Sequence, residues 1–454
     1  MLMGLSEFLH SRALSLFQMI FGGWTMMLKI RDLDDRQLAF MLDEHYGCDN
    51  LLKGPSGVWC FDGRLWRRLY DDELKATATS VLAERVDKVM RHRVTSMVEI
   101  FKVHNWMPDL AFELGDPNLL VLADGYWAYQ DGTWRKVTVD KELRRRVGFE
   151  WRYTDDRPTQ FDSFLREILC DADGHPLDDR DQLTKLIWEM LGYCLAAHTL
   201  YERCFILCGP GANGKSVLGA VAKEMVGRAY TASVQPSQMG SVFQRSNLEG
   251  KLLNLVTELN QNEELEDGML KAVISGEMMS VEKKHEAPRE IEPFAKHIIL
   301  TNHMPRIRDY SDGLFRRVSI VNLQRQFLGG DADPHLLKKF KGEMDAIMSR
   351  AMDALGTLME RDGRFIDAPS CEEAKKSWRA DNNNVEQFLQ ESVYPNPDGR
   401  VAVQPLYDAY TGWFATTGLR GQLGRQQFAR RVEAAGLQKI RMSEGYCFVG
   451  ISLR

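Results

Sequence analysis

The spacing of apolar residues changes along the chain, and the change predicts the main structural elements. Near the amino end, aromatic runs surround Asp-Gly turns in VWCFDGRLWRRL (58–69) and YWAYQDGTWRKV (126–137). An Asp-Gly turn between alternating apolar residues is the strongest short signal for a β-hairpin. From Phe161 to Cys194, apolar residues recur instead at helical spacing. We therefore predict two hairpins in an amino-terminal α+β region, followed by a helical collar.

The aromatic side chains of these hairpins allow two interpretations. Their Trp and Tyr residues stand beside Arg and Lys, as in proteins that stack the bases of single-stranded nucleic acid. Aromatic hairpins more often form small β cores, and we favour that interpretation.

Composition and charge limit the classes of function. The 454 residues include 58 basic and 64 acidic residues, a formal charge of -6, so any contact with nucleic acid has to be local. A chain of this length predicts roughly two to four domains. The eight cysteines are scattered, without a CxxC pair or a His grouping at zinc spacing. We expect reduced core thiols, a cytoplasmic protein and no structural metal.

The amino-terminal segment 13–28 is apolar but shorter than a membrane span and interrupted by Gln18 and two glycines. We interpret it as an amphipathic leader or an over-long translation start, and expect no membrane association. Asp32, Asp34 and Asp35 follow it. They resemble paired metal-binding carboxylates, but the preferred interpretation is that Asp34 or Asp35 caps a helix.

The stretch FILCGPGANGKS (205–216) carries the strongest chemical signal. A short apolar run predicts a buried strand, the Gly-rich turn predicts a loop that surrounds phosphate oxygens, and a helical pattern follows. The helix directs its positive end at the phosphates, Lys215 reaches the terminal phosphates, and the Ser216 hydroxyl ligates Mg²⁺. ATP and Mg²⁺ are the expected ligands. The predicted nucleotide contacts are Gly209, Pro210, Gly211, Ala212, Asn213, Gly214, Lys215, Ser216 and Val217.

A second apolar strand, 252–256, is followed by Glu258. An acid at the carboxyl end of such a strand lies beside the phosphate loop, where it can hold Mg²⁺ through water and polarise the attacking water. Ser216 and Glu258 are therefore the predicted metal ligands. Thr257 occupies the position where a second acid is common, so Glu258 serves both tasks or shares them with another residue.

Three further motifs give the chain a specific resemblance. They are VEKKH (281–285), a strand that ends in Thr301-Asn302, and GLFRRV (313–318). With the phosphate loop they resemble the superfamily 3 helicases, hexameric ring helicases of small DNA viruses, phages and plasmids. The resemblance implies a P-loop, AAA+-like α/β ATPase core. It also implies DNA contacts from a hairpin, a γ-phosphate sensor and an arginine finger. The implied DNA contacts are Lys283, Lys284 and His285, the implied sensor is Asn302, and the implied finger is Arg316 or Arg317.

The phage and plasmid primase-helicase branch is similar over a longer stretch, roughly 115–325. It shares the Ala123-Asp124-Gly125 turn, where Asn is usual at the second position, and the Thr257-Glu258-Leu259 strand end. Larger members of that branch add an amino-terminal primase domain. Residues 1–115 contain no zinc motif and no convincing catalytic acid cluster, so we do not predict priming; a separate primase or polymerase is then a further expected partner.

The carboxyl-terminal region predicts three helices followed by a hairpin, an order that suits a winged helix. Its recognition helix would be Gln426 to Ala434, with Arg425, Arg430 and Arg431 near DNA phosphates. Glu433 and Glu444 reduce the positive charge, and a winged helix that docks another protein is the alternative. We favour DNA.

The sequence thus predicts five parts, and the order of their motifs predicts their boundaries. An amino-terminal α+β accessory region (1–150) precedes the helical collar (151–200) and the ATPase domain (201–330), which a helical connector (331–384) joins to the winged helix (385–454). The predicted function is an ATP-dependent DNA helicase that replicates a phage, plasmid or integrated mobile element. It would act on single-stranded and fork DNA as a homo-oligomeric, hexameric ring. A replication initiator or regulator switched by ATP, without unwinding activity, and a small-molecule kinase are the alternatives.

Overall fold

The computed structural model describes residues 34–454, apart from 56, 85–87, 109, 111–115, 117–118, 260–264, 285–287, 308–311, 330–331, 382, 418–421 and 444. The amino-terminal segment 13–28, Asp32 and His285 therefore lie outside the described residues. The chain forms two compact units: Met1–Glu113 with Asp140–Arg146, and Leu114–Val139 with Val147–Arg454. No helix among the described residues combines the length and hydropathy needed to cross a bilayer.

The first unit packs three helices with a three-stranded antiparallel sheet of order β1-β2-β3. Its elements are α1 (Asp35–Tyr46), β1 (Leu51–Gly54), β2 (Gly57–Phe61), β3 (Trp66–Leu69), α2 (Asp71–Ala83) and α3 (Arg91–Val103). Asp34 begins α1, because its carboxylate accepts from the Gln37 backbone N–H at 2.7 Å while Gln37 Oε1 accepts from Asp34 N–H at 2.9 Å. This capping box confirms the structural interpretation of Asp34.

The second hairpin belongs to the other unit, in an antiparallel sheet formed by β4 (Leu119–Leu122), β5 (Gly125–Gln130) and β6 (Thr133–Val137). Its turn residues Asp131 and Gly132 have φ values of 49° and 76°, the positive pair that a tight hairpin turn requires. Tyr126 and Trp134 are buried, as are Trp59 and Trp66 in the first unit. The core interpretation of these four aromatic residues is confirmed.

A five-stranded parallel sheet is the centre of the second unit. Its strands are β7 (Cys204–Cys208), β8 (Thr231–Ala232), β9 (Leu253–Val256), β12 (Lys296–Thr301) and β13 (Val318–Asn322), in the order β13-β7-β12-β9-β8. β7, β9 and β12 are almost entirely buried along their length, as expected for strands covered on both faces. A separate hairpin pairs β10 (Met279–Val281) with β11 (Arg289–Ile291).

Helices surround the sheet. They are α4 (Thr159–Ile168), α5 (Arg180–Tyr193), α6 (Lys215–Val226), α7 (Val242–Arg245), α8 (Asp267–Ser275), α9 (Asp312–Phe315), α10 (Leu336–Gly342), α11 (Met344–Glu360) and α12 (Pro369–Asp381). α11 packs along α5, and its residues Ile347, Met352 and Leu355 are fully buried in the same core as the sheet residue Phe205. The segment predicted as a connector thus contributes a central part of the core.

The carboxyl-terminal elements are α13 (Asn384–Ser392), β14 (Val393–Ala402), α14 (Val403–Thr417), α15 (Arg425–Ala434), β15 (Lys439–Met442) and β16 (Gly445–Leu453). Three helices and the hairpin β15–β16 match the predicted order. β14 was not predicted, because Pro395, Pro397 and Asp398-Gly399 are typical of turns. It is an edge strand in the sheet β14-β16-β15, with its register broken between Pro395 and Arg400, which is where a sheet tolerates proline.

Candidate nucleotide site

The loop Gly209–Gly214 joins the carboxyl end of β7 to the first turn of α6. A Cβ atom at Gly209 would lie 2.1 Å from the backbone oxygen of Leu323, and one at Gly214 would lie 2.7 Å from Ile168. Gly214 also has a φ of 86°, in the left-handed region that favours glycine. The close approach of neighbouring segments therefore fixes glycine at both ends of the loop.

Lys215 is the first residue of α6, and its side chain folds back over the loop. Its Nζ donates to the backbone oxygen of Gly209 at 2.7 Å and to Oδ1 of Asn213 at 2.9 Å. Lys215 is only 6% exposed, and this burial lowers the pKa of its ammonium group. Among the described residues it forms no ion pair, so neutral oxygens hold a largely buried positive charge. Such a charge gains most from an anion placed at the loop.

A cavity of about 680 Å³ opens beside the loop. One part of the cavity is lined by Gly211–Val217, which comprise most of the loop and the first turn of α6. Another part is lined by Thr257, Glu258, Thr301 and Asn302. Thr257 and Glu258 follow β9, and Thr301 and Asn302 lie at the end of β12; the carboxyl ends of both strands lie at the same sheet edge as the loop that leaves β7. The structure thus brings Lys215, Ser216, Glu258 and Asn302 into one cavity, although they are up to 87 positions apart in the sequence.

Glu258 and Asn302 are both exposed toward solvent, so ligand or water can reach them. The preceding residue Thr301 is buried, and its hydroxyl donates to the backbone oxygen of His303 at 2.6 Å. That bond fixes the turn after β12 and hence the backbone position of Asn302. The backbone position of Glu258 is held by a side chain, since its backbone oxygen accepts from Nε2 of Gln235 at 3.2 Å.

Sequence reasoning missed the remaining wall of the cavity. It consists of one face of α4 and the segment after β13, with the lining residues Gln160, Ser163, Phe164, Glu167, Phe327, Ala332, Asp333, Leu336 and Lys339. The backbone N–H of Phe327 donates to the oxygen of Ala212 at 2.7 Å, which ties this segment to the phosphate loop. The spacing of Gln160, Ser163 and Glu167 along one helix face was the available signal. It did not indicate what the face would meet.

The two candidate arginines differ in environment. Arg317 is largely buried, pairs with Glu202 at 2.9 Å and donates to the Gly313 backbone oxygen at 2.8 Å. Arg316 is exposed, and its backbone oxygen accepts from Arg203 at 3.0 Å. Arg317 therefore has a structural role in this loop, whereas the side chain of Arg316 is presented to solvent.

Both arginines lie at the sheet edge opposite the phosphate loop. They immediately precede β13, whose first residue Val318 pairs in parallel with Cys204 at the start of β7. The loop begins only after Cys208, so at least four strand residues, or about 13 Å, separate the two edges. Arg316 does not line the cavity of its own chain.

The predicted DNA contacts in the ATPase region have unequal exposure to solvent. Lys283 forms an ion pair with Glu249 at 3.2 Å, and Glu249 also accepts from Arg289 of β11 at 2.6 Å. Lys284 is exposed. His285 is outside the described residues. Within the described part of the chain, Lys283 is held in an ion pair, whereas Lys284 forms none.

The three arginines predicted on the carboxyl-terminal recognition helix all belong to α15. Arg430 is exposed, and Arg431 is half-buried. Arg425 is exposed, and its Nη1 donates to Oε1 of Gln404 at 2.5 Å. Their contact with DNA phosphates stays a prediction.

Comparison with known proteins connects this chain with viral helicase candidates. Residues 207–317 match a family of unknown function, DUF5906. A candidate helicase of Acanthamoeba polyphaga mimivirus is 21% identical over 243 residues, covering 51% of this chain and 24% of that protein. A candidate helicase of Frog virus 3 is 22% identical over 240 residues, covering 48% of this chain and 25% of that protein. The chain thus spans about a quarter of the length of either relative.

A third candidate helicase, from Invertebrate iridescent virus 3, is 19% identical over 382 residues, which cover 75% of this chain and 39% of that protein. Among solved structures, the apo form of the NrS-1 C-terminal region (305–718) has a TM-score of 0.50 and 11% identity. It covers 93% of this chain and 100% of the solved chain. The mixed α/β fold with its parallel sheet is thus similar to that region, and the sequence relatives are helicase candidates of large DNA viruses.

Proposed function

We propose that this chain is an ATP-hydrolysing DNA helicase of the superfamily 3 type, with a P-loop, AAA+-like core. The observation that carries the proposal is the buried charge of Lys215, held by neutral oxygens at the mouth of a cavity that also contains Glu258 and Asn302. A buried cation, an exposed carboxylate and an amide around one Gly-rich loop suit a nucleoside triphosphate. The names of the viral relatives support DNA as the substrate acted upon.

The polyphosphate end of ATP would lie along the loop. Backbone N–H groups from Gly211 to Lys215 and the amino end of α6 would bind the phosphate oxygens, and Lys215 would exchange its contacts with Gly209 and Asn213 for the terminal phosphates. Asn302 would orient the γ-phosphate. Asn213 is buried and donates to the backbone oxygen of Leu323 at 2.8 Å, so the loop backbone would need little reorganisation when charge develops during transfer.

Ser216 and Glu258 offer the oxygen donors that Mg²⁺ prefers, and both line the cavity. The ion, when bound, would neutralise charge on the β- and γ-phosphates. Glu258 would hold and orient the attacking water as well. Glu167 and Asp333 line the same cavity; Asp333 is paired with Lys339 at 2.6 Å, and Glu167 is the acid with which Glu258 could share these tasks.

The nucleoside would occupy the other wall, between α4 and the segment after β13. Phe327 and Leu336 provide apolar surface for a base, and Gln160, Ser163 and Asp333 provide polar groups. One face of the Phe327 ring is covered by the guanidinium group of Arg325, 4.7 Å from the ring centroid. Arg325 itself donates to the backbone oxygen of Glu167 at 3.4 Å, so it links the segment after β13 to α4.

The position of Arg316 supports action as a ring. Because Arg316 is exposed at the edge opposite its own phosphate loop, it would reach a γ-phosphate only on a neighbouring subunit. Arg317, anchored by Glu202, would hold the loop that carries it. We therefore propose a homo-oligomeric, hexameric ring around single-stranded DNA, with Lys284 and His285 on the channel hairpin. Replication of a phage, plasmid or integrated mobile element is the proposed role.

The carboxyl-terminal elements support a winged helix. The order helix, strand, helix, helix and hairpin, with the first strand at the sheet edge, suits a winged helix in which α15 would lie beside a β-hairpin wing. We propose that α15 contacts DNA phosphates through Arg425, Arg430 and Arg431.

ATP hydrolysis with and without single-stranded DNA tests the proposal. We expect turnover that rises with the single strand and that Lys215→Ala abolishes. An ATP turnover rate that is the same with and without DNA would instead support a small-molecule kinase. Nucleotide binding without turnover would leave an ATP-switched initiator or regulator.

A further inference from the structure

The tip of the hairpin β15–β16 carries an exposed aromatic side chain surrounded by cations. Tyr446 is 53% exposed and lies directly opposite Arg441 across the hairpin, and the neighbouring pair is Met442 and Gly445. We call these four residues the hairpin tip. Arg441 and Met442 are exposed as well. An aromatic ring, a thioether and a guanidinium group thus lie together at the end of two strands.

Two further cations lie beside the hairpin tip. The Nζ of Lys439 is 5.0 Å from the centroid of the Tyr446 ring, within the range of a cation–π contact. Arg400, on the adjacent edge strand β14, is exposed, and its Nη1 is 4.0 Å from the sulfur of Met442. Glu433 is the acid paired with Lys439, at a long 3.6 Å.

Tyr446 is not part of the hydrophobic core of the carboxyl-terminal elements. That core has its own aromatic cluster, in which Phe388, Tyr410 and Phe428 are fully buried and the Tyr410 and Phe428 rings stack at 4.6 Å. Tyr446 is not part of this cluster. An exposed ring therefore remains at the tip without a role in packing, and most of its surface faces solvent.

We propose that the hairpin tip binds single-stranded nucleic acid, with Tyr446 stacking on an unpaired base and with Arg441 and Lys439, which share its face of the sheet, near the flanking phosphates. Every base offers an aromatic face, so a ring among cations binds single strands with little sequence preference. Base faces inside a duplex are covered by their neighbours, which leaves only the terminal pair available. The tip therefore selects strand ends and unpaired strands, whereas α15 is suited to the phosphates of a duplex.

This inference rests on the proposed function in one respect, since it takes the bound strand to come from the DNA that the enzyme separates. Together, α15 and the hairpin tip would then meet the two forms of DNA at a fork. Arg430 lies on α15 and Arg441 on β15, so in this arrangement Arg430 would contact the duplex and Arg441 the unpaired strand.

The test measures binding of the full chain to a fluorescent single-stranded oligonucleotide and to a covalently closed circular duplex, which has neither strand ends nor unpaired bases. Tyr446→Ala should weaken single-strand binding roughly 5- to 100-fold, as the loss of a base stack does, and change duplex binding little. Tyr446→Phe should bind the single strand nearly as wild type, because the ring is retained. Arg441→Gln should reduce the salt dependence of single-strand binding by about 0.7 in log–log slope.

A matched control is Tyr394→Ala, since Tyr394 is 44% exposed on β14 of the same sheet and has no place at the tip. It should bind like wild type. ATP hydrolysis without DNA should be equal in all four variants. Absence of hydrolysis in the wild type would defeat the proposed function and leave the binding comparison valid. Single-strand affinity unchanged by Tyr446→Ala would overturn the inference, and would favour a protein partner for the tip.

Discussion

The indole Nε1 of Trp378 donates to the backbone oxygen of Pro305 at 2.7 Å. Trp378 belongs to α12 and is fully buried, and its ring contacts Phe315 of α9 edge to face at 5.3 Å. Pro305 follows Asn302 by three positions, and Phe315 immediately precedes Arg316. One side chain therefore bridges the segment after the proposed γ-phosphate sensor and the helix before the proposed finger.

We predict that Trp378→Phe lowers the maximal rate of ATP hydrolysis several-fold and leaves the Michaelis constant for ATP nearly unchanged. Phenylalanine keeps most of the packing but removes the bond to Pro305, and a net hydrogen bond is worth about 1 kcal/mol. The rate falls because the sensor and the finger lose their common support, whereas the phosphate loop is untouched. Steady-state kinetics at saturating single-stranded DNA measure both constants. An equal change in affinity and rate would mean that Trp378 only stabilises the fold.

Glu258→Gln should retain ATP binding and lose hydrolysis by about 100-fold or more, because the amide can no longer polarise the attacking water. Binding of a fluorescent ATP analogue and release of phosphate are the two measurements. Glu167→Gln is the matched variant from the opposite cavity wall. If Glu167→Gln abolished turnover and Glu258→Gln did not, the water-activating acid would be Glu167.

Lys284→Ala should weaken binding of single-stranded DNA and flatten its salt dependence, because a free cation near a strand contributes through counterion release. Lys283→Ala is the control in the neighbouring position. Since Lys283 is paired with Glu249, its loss should alter DNA binding less and the hairpin β10–β11 more. Titrations at several salt concentrations give both slopes. Salt slopes that stay at the wild-type value in both variants would assign both lysines to the hairpin structure.

Mixtures of Lys215→Ala and Arg316→Ala subunits should recover part of the ATP hydrolysis that neither protein has alone. Where a Lys215→Ala subunit places its intact Arg316 at the intact phosphate loop of an Arg316→Ala subunit, one complete site is restored. Arg317→Ala in place of Arg316→Ala is the comparison, and the Glu202 ion pair predicts that it loses activity through the loop structure, with no recovery on mixing. Absence of recovery with Arg316→Ala, in rings shown to exchange subunits, would exclude action between subunits.

The burial of Lys296 predicts how the stability of the protein depends on pH. It is fully buried at the start of β12, where its Nζ donates to the backbone oxygens of Ala196 and Phe294, and burial lowers its pKa to about 7. The unfolded chain then binds more protons between about pH 7 and 10. Lys296 should therefore contribute an increase in the free energy of unfolding with pH across this window, and Lys296→Met should remove that contribution. Denaturant unfolding at pH 7 and pH 9.5 measures it; an unchanged slope in the variant would contradict the prediction.

The parts that the sequence predicted well are local in the chain. The strand, loop and helix around Lys215 are determined by consecutive residues, and the Asp131-Gly132 turn is determined by its two residues alone. The missed parts depend on distant contacts. Phe327 and Glu167 line the cavity because β13 leads the chain back across the loop, and no local pattern specifies that path. β14 was missed because its prolines oppose a strand, and only an edge position permits them.

The carboxylate of Glu343 accepts from the backbone N–H groups of Gln160 and Phe161 at 3.1 Å and so caps α4 from a position 183 residues further along the chain. The part of the cavity wall that α4 forms is therefore held in place by a residue beyond the matched stretch 207–317. A fragment cut to that stretch would keep the phosphate loop yet lose the wall against which a base would rest. A fragment able to distinguish one nucleotide from another must accordingly reach from before α4 to beyond Glu343. Ligand binding by this fragment is then thermodynamically linked to the folding of the whole fragment.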